Sequence, residues 1–213
     1  DGKPDLLFGW QTPDDSGLSV AYHDGVDNLL PKIDYPAGGK LRAGNFLTAG
    51  DFDGNGQLDV VFDIDYNAPD AKLIRWVRTA AGGFAYVGEW ATYDLPQTLV
   101  AADMNRDGRD DLLVAHQDWS SIGYMQQAKR SDGSYWLDRE TKAYAKSGNY
   151  AQPHPMVIGD FNHDYCPDVA FLSSNSGLQI LYSTLKNCLR EMNGAKAPAP
   201  PHFGTTGATS SAA

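Results

Sequence analysis

The stretch from Asp51 to Asp59, DFDGNGQLD, decides how the rest of the chain is interpreted. Oxygen-bearing side chains stand at positions 1, 3, 5 and 9 of this nine-residue loop, and a glycine stands at position 6. Calcium takes about six to eight hard oxygen ligands, which alternate residues of a tight turn can supply together with one backbone carbonyl. The spacing therefore predicts a calcium loop, in which Gln57 contributes its carbonyl and Gly56 takes a left-handed conformation.

The same pattern recurs twice along the chain. Residues 103–111, DMNRDGRDD, repeat it in full, and residues 160–168, DFNHDYCPD, repeat it with Tyr165 in place of the glycine. The chain also opens on DGKPD, which fits positions 5 to 9 of a further copy. The copies lie about 50 to 60 residues apart, a period typical of propellers and solenoids. The segments 51–59, 103–111 and 160–168 are called loop 1, loop 2 and loop 3 below.

The residues that flank the loops distinguish an EF-hand from a β-structure. An EF-hand has helices on both sides and a bidentate Glu at loop position 12, whereas Phe62, Val114 and Phe171 occupy that position here. The flanking runs are short and rich in β-branched and aromatic residues, which predicts strands. These runs are 46–49, 59–62, 98–101, 111–114, 156–158 and 168–172. The EF-hand is therefore excluded.

Further strands are predicted after each loop and after the opening half-copy. Those runs are 5–8, 17–22, 29–33, 72–77, 84–88, 122–125, 134–137 and 178–182. Each unit then has four short strands, and the calcium loop joins the first to the second. We predict an all-β chain of β-propeller blades with four antiparallel strands each, about three to four in number. Residues 1–190 hold the blades, and residues 195–213, rich in Ala, Pro, Gly and Ser, form a linker or disordered tail.

With these motifs in hand, the chain resembles the FG-GAP/VCBS repeat family, whose best-known members are the integrin α-subunit propellers. The strand, the D-x-[DN]-x-[DN]-G-x-x-D loop and the following apolar strand are met at 50–62 and 102–114, and at 159–172 apart from Tyr165. The resemblance implies a seven-bladed ring with calcium in hairpin loops on one face. Three to four blades cannot close that ring, so the rest either lies elsewhere in a longer protein or the ring is built differently.

The resemblance also implies the full ligand sets, which combine side chains at positions 1, 3, 5 and 9 with the carbonyl at position 7. They are Asp51, Asp53, Asn55, Asp59 and the Gln57 carbonyl; Asp103, Asn105, Asp107, Asp111 and the Arg109 carbonyl; and Asp160, Asn162, Asp164, Asp168 and the Cys166 carbonyl. Tyr165 weakens the third set, because a bulky residue at positive φ is strained. Asp1 and Asp5 could bind only with the front of their motif restored. The ions are expected to be structural rather than catalytic.

Charge and cysteine content restrict the function classes. A formal net charge of −10 argues against nucleic acid, since phosphate binding needs clustered Lys and Arg. No run of 18 apolar residues is present, so no membrane span is predicted. Cys166 and Cys188 are either free thiols or one disulfide, and calcium loops of an extracellular kind favour the disulfide in a secreted protein.

No catalytic motif is found: the G-x-S-x-G, H-E-x-x-H and Walker A patterns are absent. The histidines are scattered and are interpreted as loop or surface residues, with His163 pointing to solvent; they are His23, His116, His154, His163 and His202. The five tryptophans are expected to pack between blades. The alternative is that some aromatic residues, such as Trp119 and Tyr124, form sugar-stacking platforms or protein hot spots.

These observations predict a non-catalytic, calcium-stabilised module for extracellular recognition or adhesion, which binds a protein or glycan ligand. The first alternative is a lectin, marked by pockets between blades lined by Trp and Asp. The second is an accessory or scaffold domain of a secreted enzyme or toxin, for which the Pro- and Ala-rich tail is the hint. An enzyme in its own right is disfavoured by the missing catalytic motifs.

Overall fold

The computed structural model describes residues 3–39, 46–64, 67–117, 121–145, 155–173, 177–183 and 203–204. All seventeen elements assigned in these ranges are strands. They are β1 (Leu6–Gln11), β2 (Ser16–Ala21), β3 (Ile33–Pro36), β4 (Leu47–Gly50), β5 (Asp59–Ile64), β6 (Lys72–Arg78), β7 (Phe84–Ala91), β8 (Pro96–Ala102), β9 (Asp111–His116), β10 (Ser121–Met125), β11 (Gln127–Lys129), β12 (Tyr135–Leu137), β13 (Thr141–Ala145), β14 (Met156–Gly159), β15 (Asp168–Ser173), β16 (Gly177–Ser183) and β17 (Phe203–Gly204).

These strands form antiparallel sheets of three or four strands. The N-terminal sheet has the order β1-β2-β3, sheet 1 has β4-β5-β6-β7, sheet 2 has β8-β9-β10-β13 and sheet 3 has β14-β15-β16-β17. A separate two-stranded sheet pairs β11 with β12. The all-β class and the four-stranded antiparallel unit are therefore confirmed. Within the described ranges the sheets do not close into a ring.

Each loop joins the first strand of its sheet to the second, as the flanking residues predicted. The residue before each loop pairs with its last aspartate, in the pairs Gly50–Asp59, Ala102–Asp111 and Gly159–Asp168. Loop position 9 is thus also the first residue of the second strand. This geometry confirms that the loops are β-hairpin connections.

Three strand predictions needed correction. The segment 134–137 was expected to be the outer strand of sheet 2, but β12 pairs with its neighbour β11, and β13 takes the outer position beside β10. In the N-terminal sheet the third strand is β3, which begins at Ile33, and Leu29 makes only an isolated bridge to His23. Residues 203–204 form a strand on β16, although they belong to the predicted tail.

Side chains on the second strands alternate between two neighbouring sheets. On β5, Val60 and Phe62 pack with Leu18 of the N-terminal sheet, whereas Val61 packs with Leu112 of sheet 2. On β9, Leu113 and Ala115 pack toward sheet 3, and Leu112 and Val114 pack toward sheet 1. Because both faces of β5 and β9 are covered, all six residues of each strand are buried. The sheets therefore stack in series.

The side chain at loop position 2 contributes to this stacking. Phe52 is fully buried in the cluster between sheets 1 and 2, and Met104 is fully buried in the cluster between sheets 2 and 3. Phe161, at the same position of loop 3, is 40% exposed. Strand β8 also contacts both β4 and β14, the first strands of the two adjacent sheets.

Several residues of the sequence predictions lie outside the described residues: Asp1, which was expected to bind only with the front of its motif restored, the candidate platform Trp119, the histidines His154 and His202, Cys188 and most of the 195–213 tail. Cys166 is disulfide-bonded, and Cys188 is the only other cysteine of the chain. In the described part of the chain there is no helix with the length and apolar character needed to span a membrane.

Candidate metal centres and a neighbouring cleft

The three loops share one set of local hydrogen bonds. The carboxylate at position 1 accepts the backbone N–H groups of positions 5 and 6, at 3.0 and 2.8 Å in loop 1, 3.0 and 2.8 Å in loop 2, and 3.1 and 2.8 Å in loop 3. The side-chain oxygen at position 3 accepts the N–H of position 5, at 3.2, 2.9 and 3.0 Å. The oxygen at position 5 accepts the N–H of position 7, at 2.7, 3.1 and 2.8 Å. Such bonds between Asx side chains and nearby backbone N–H groups stabilise tight turns.

Positive φ angles complete each turn. Gly56 and Gly108 at position 6 have φ values of 81° and 82°, and Tyr165 takes 67° in their place. Position 4 is also left-handed, at Gly54, Arg106 and His163, which the sequence analysis did not anticipate. The predicted conformation of position 6 is confirmed, and Tyr165 is in the strained region where glycine is favoured.

The carboxylate at position 9 is buried in every loop, because it begins the second strand. Asp59, Asp111 and Asp168 are each fully buried. Asp111 accepts hydrogen bonds from the Gln127 N–H at 2.8 Å and the Tyr124 hydroxyl at 2.7 Å. Asp168 accepts the N–H groups of Ser183 and Phe161 at 2.8 and 2.9 Å. Asp59 is bonded instead to the guanidinium of Arg75, at 2.8 Å.

Burial raises the pKa of several loop carboxyl groups above the usual value near 4. It raises the pKa of Asp59 to about 6, against the opposing effect of Arg75. It raises the pKa of Asp111 to about 7, although the Gln127 N–H and the Tyr124 hydroxyl act in the other direction. The pKa of Asp103 is also raised, again mainly by burial. A bound cation would stabilise the charged form of these groups.

Two residues that the sequence did not indicate, Gln127 and Asp110, connect loop 1 to loop 2 by hydrogen bonds. Gln127 donates from Nε2 to the backbone oxygen of Asp51 at 2.8 Å, while its N–H bonds Asp111 in loop 2. Asp110 accepts the backbone N–H of Asp51 at 2.8 Å. These contacts depend on how sheets 1 and 2 stack, so no local sequence pattern indicates them.

The predicted ligands within each loop are therefore neighbours in a preorganised turn of carboxylate, amide and carbonyl oxygens. In the described ranges no group of three or more His, Cys, Asp or Glu side chains is assembled closely enough to hold a metal ion. The donor chemistry fits calcium, because the side chains at the ligand positions offer hard carboxylate and amide oxygens.

A cleft of about 720 Å³ opens beside loop 1. It lies between β7 of sheet 1 and the β11–β12 hairpin, and its lining includes Asp53, Asn55, Arg75, Trp90, Tyr135 and Trp136. The Trp90 and Trp136 rings meet edge to face, with centroids 5.3 Å apart. Both rings are half-buried and also pack against the core between sheets 1 and 2.

Two residues considered in the sequence analysis lie elsewhere than expected. Tyr124 is 2% exposed and belongs to the core between sheets 2 and 3, so it is not a surface platform. His116 is fully buried rather than at the surface, and its Nε2 lies 2.6 Å from Glu140 Oε1. Trp76 is buried in the core, which confirms for this residue the prediction that the tryptophans pack between sheets. His163 is exposed to solvent, as predicted.

No protein-family model matches this chain, and no curated protein sequence does. The resemblance to FG-GAP/VCBS repeats is carried by the three loops and the strands that flank them.

Proposed function

We propose that the chain is a calcium-binding β-repeat module of the FG-GAP/VCBS type, which recognises a ligand at an extracellular surface without catalysis. The observation that supports it best is the common hydrogen-bond pattern of loops 1, 2 and 3, each set at the same hairpin of a different sheet. Three independent segments of sequence adopt one turn, with oxygen-bearing side chains at positions 1, 3, 5 and 9. Copies of a repeated binding loop are expected to share both their turn geometry and their position between the first and second strands of a sheet.

A propeller blade is the setting proposed for these sheets. Serial stacking of sheets 1, 2 and 3, with β8 in contact with both β4 and β14, supports a radial arrangement with the first strands innermost. The sheets present here would then be part of a larger ring, such as a seven-bladed one. Further blades or a further domain of the parent protein are the corresponding proposed partners.

Calcium has a structural role in this proposal. The side chains at positions 1, 3, 5 and 9 and the carbonyl at position 7 would hold the ion, which would supply positive charge next to the buried position-9 carboxylate. At a free concentration about tenfold above Kd, each occupied site stabilises the folded chain by about 1.4 kcal/mol. A few sites would thus supply a large share of the stability of an ordinary domain.

An extracellular location agrees with two features of the chain. Cys166 is disulfide-bonded, and disulfides persist mainly in oxidising compartments. Calcium loops of modest affinity are also suited to the millimolar calcium found outside cells. Secretion and display at a cell surface are therefore part of the proposal.

Calorimetric calcium titration of the metal-free chain tests the proposal. We expect saturable binding of at least two ions, which Asp103→Asn and Asp160→Asn each reduce by one. Asp138→Asn removes a carboxylate from an exposed position outside the loops and serves as the matched control. Absence of calcium binding at millimolar concentration, in a chain shown to be folded, would overturn the proposal.

A glycan is the second candidate ligand, and the cleft beside loop 1 favours it. Its lining combines Trp90, Trp136 and Tyr135 with Asp53 and Asn55, and sugar sites typically join aromatic surfaces to polar hydrogen-bonding groups. A glycan array probed in calcium and again in EGTA tests this candidate. Binding to a narrow sugar set that is lost in Tyr135→Ala supports it, whereas silence from the folded protein favours a protein ligand.

A further inference from the structure

The third-strand residue at one register position, close to the position-9 aspartate, differs among the three sheets. In each sheet, the residue two places after the position-9 aspartate pairs with one residue of the third strand. The pairs are Val61–Arg75, Leu113–Tyr124 and Ala170–Ile180. Arg75, Tyr124 and Ile180 are therefore equivalent by register, although one is cationic, one is a neutral donor and one is apolar.

Arg75 is bonded to two of the predicted ligands of loop 1. Its Nη2 lies 2.8 Å from Asp53 Oδ2 and 2.8 Å from Asp59 Oδ2, the carboxylates of positions 3 and 9. Its guanidinium carbon is 3.5 Å from the ring centroid of Trp136, which holds it by a cation–π contact. The Arg75 side chain is only 17% exposed. The positive charge of Arg75 on β6 therefore already lies against loop 1, and the two carboxylates and the Trp136 ring hold it in place.

The other loops have no equivalent charge at this position. Tyr124 donates a hydrogen bond to Asp111 at 2.7 Å without neutralising it, and Ile180 has no polar group to offer. Loop 2 does contain Arg109, which reaches Asp107 at 2.9 Å. That arginine contacts one carboxylate rather than two, and its side chain is 31% exposed. Its competition with a cation is accordingly weaker.

We propose that Arg75 is the built-in counter-ion of loop 1, so that this loop folds without calcium and binds it more weakly than loops 2 and 3. This inference rests on the proposed function, because it ranks the affinities of the same calcium loops. To bind at loop 1, the ion must displace a guanidinium from Asp53 and Asp59, and charge-assisted hydrogen bonds are the stronger class. The third-strand residue thereby sets the calcium affinity of each hairpin.

Calcium titration of the full chain by calorimetry, comparing Arg75→Met with Arg130→Met, tests the inference. Arg130 lines the same cleft and is exposed, and it donates to the Leu137 carbonyl at 3.2 Å rather than to a loop carboxylate. Each variant removes one positive charge, so the two change the net charge of the chain equally. We expect Arg75→Met to add one site, or to tighten one site by about tenfold or more, and Arg130→Met to leave the titration unchanged. The added site should disappear when Asp51→Asn is combined with Arg75→Met.

Arg75→Tyr is the second variant, in case the loss of a hydrogen-bond donor beside the buried Asp59 prevents folding of Arg75→Met. It places in sheet 1 the residue type that sheet 2 carries, and it should give loop 1 an affinity within about threefold of that of loop 2.

The possible outcomes separate this inference from the proposed function. Three equal sites in the wild-type chain, unchanged by either Arg75 variant, would overturn the inference and leave the proposed function standing. A site gained by Arg75→Met in a chain whose wild type binds no calcium would support the counter-ion role of Arg75, but it would overturn the ranking against loops 2 and 3 and the proposed function. No binding by the wild type or by any folded variant would overturn both.

Discussion

His116 Nε2 lies 2.6 Å from Glu140 Oε1, and both side chains are buried in sheet 2. The other ring nitrogen, Nδ1, lies 2.9 Å from the backbone oxygen of Asp94. Glu140 Oε2 in turn accepts the Thr92 hydroxyl at 2.6 Å and the Tyr93 N–H at 3.0 Å. The pair therefore connects the end of β9 to the segment before β13 and to the link between sheets 1 and 2.

Removing one member of this pair should strongly destabilise the chain. Glu140→Ala leaves the His116 ring, the Thr92 hydroxyl and the Tyr93 N–H without their acceptor in a buried site, and each unsatisfied buried group costs about 1–3 kcal/mol, so we expect a loss of about 2–5 kcal/mol in all. Urea unfolding followed by tryptophan fluorescence measures it. Glu89→Ala, at an exposed position on β7, is the control and should cost less than about 0.5 kcal/mol. A loss below about 1 kcal/mol for Glu140→Ala would contradict the role given to the pair.

Gly123 is packed against the same carboxylate. A Cβ added there would lie 1.6 Å from Glu140 Oε1, so Gly123→Ala must push the side chain out of its hydrogen bonds. We expect a loss of about 1–3 kcal/mol. Gly39→Ala, which would meet nothing within 4 Å, is the control. In a Glu140→Ala background, Gly123→Ala should lower the free energy of unfolding by less, because the carboxylate is gone. Full additivity of the two substitutions would argue against the contact between Gly123 and Glu140.

Tyr165 is predicted to be a strained residue whose replacement by glycine is stabilising. Its φ is 67° and its side chain is 60% exposed, so glycine relieves strain with little loss of packing. We expect Tyr165→Gly to gain about 1 kcal/mol, or about 2–4 °C in Tm, when measured in EGTA. Gly108→Ala should lower Tm. An added Cβ would meet no other atom within 4 Å, so the loss would come only from holding an alanine at the φ of 82°. Shifts of the same sign would refute the backbone explanation.

The hydroxyl of Tyr124 is predicted to support loop 2. Tyr124→Phe keeps the ring in the core but removes the 2.7 Å hydrogen bond to Asp111, and leaving a buried polar group without its partner costs about 1–3 kcal/mol. Chemical denaturation should show that loss. Tyr86→Phe, which removes a hydroxyl from a half-buried ring of sheet 1, should change stability by a few tenths of a kcal/mol at most. Equal effects of the two substitutions would contradict the assignment.

Chelation should lower the thermal stability of the chain. Two or three sites that each contribute about 1.4 kcal/mol correspond to a Tm difference of about 5–15 °C between millimolar calcium and EGTA. Differential scanning calorimetry measures it, with magnesium in place of calcium as the control for ionic strength. An unchanged transition, with metal removal verified, would contradict the stabilising role proposed for calcium.

Much of the fold could be predicted from the sequence, because the decisive signals are local. The strands beside each loop follow from short β-branched runs, and most of them fall within a residue or two of the structure. The outer strand of sheet 2 could not be predicted in this way. The segment at Tyr135–Leu137 has a strong strand pattern, yet it pairs with Gln127–Lys129 across a short turn, which leaves the weaker run at Thr141–Ala145 to complete the sheet.

The candidate site likewise combines local features, which the sequence indicates, with contacts between distant residues, which it does not. The sequence by itself determined the three loops, since the hydrogen bonds within each turn join residues at most seven positions apart and depend on Asp and Asn side chains at set positions. Only the tertiary structure decided what faces the buried position-9 carboxylate. Arg75 reaches Asp59 from 16 residues away, and Gln127 reaches Asp51 from 76 residues away. Those contacts follow from strand register and sheet stacking, which many distant apolar side chains determine together.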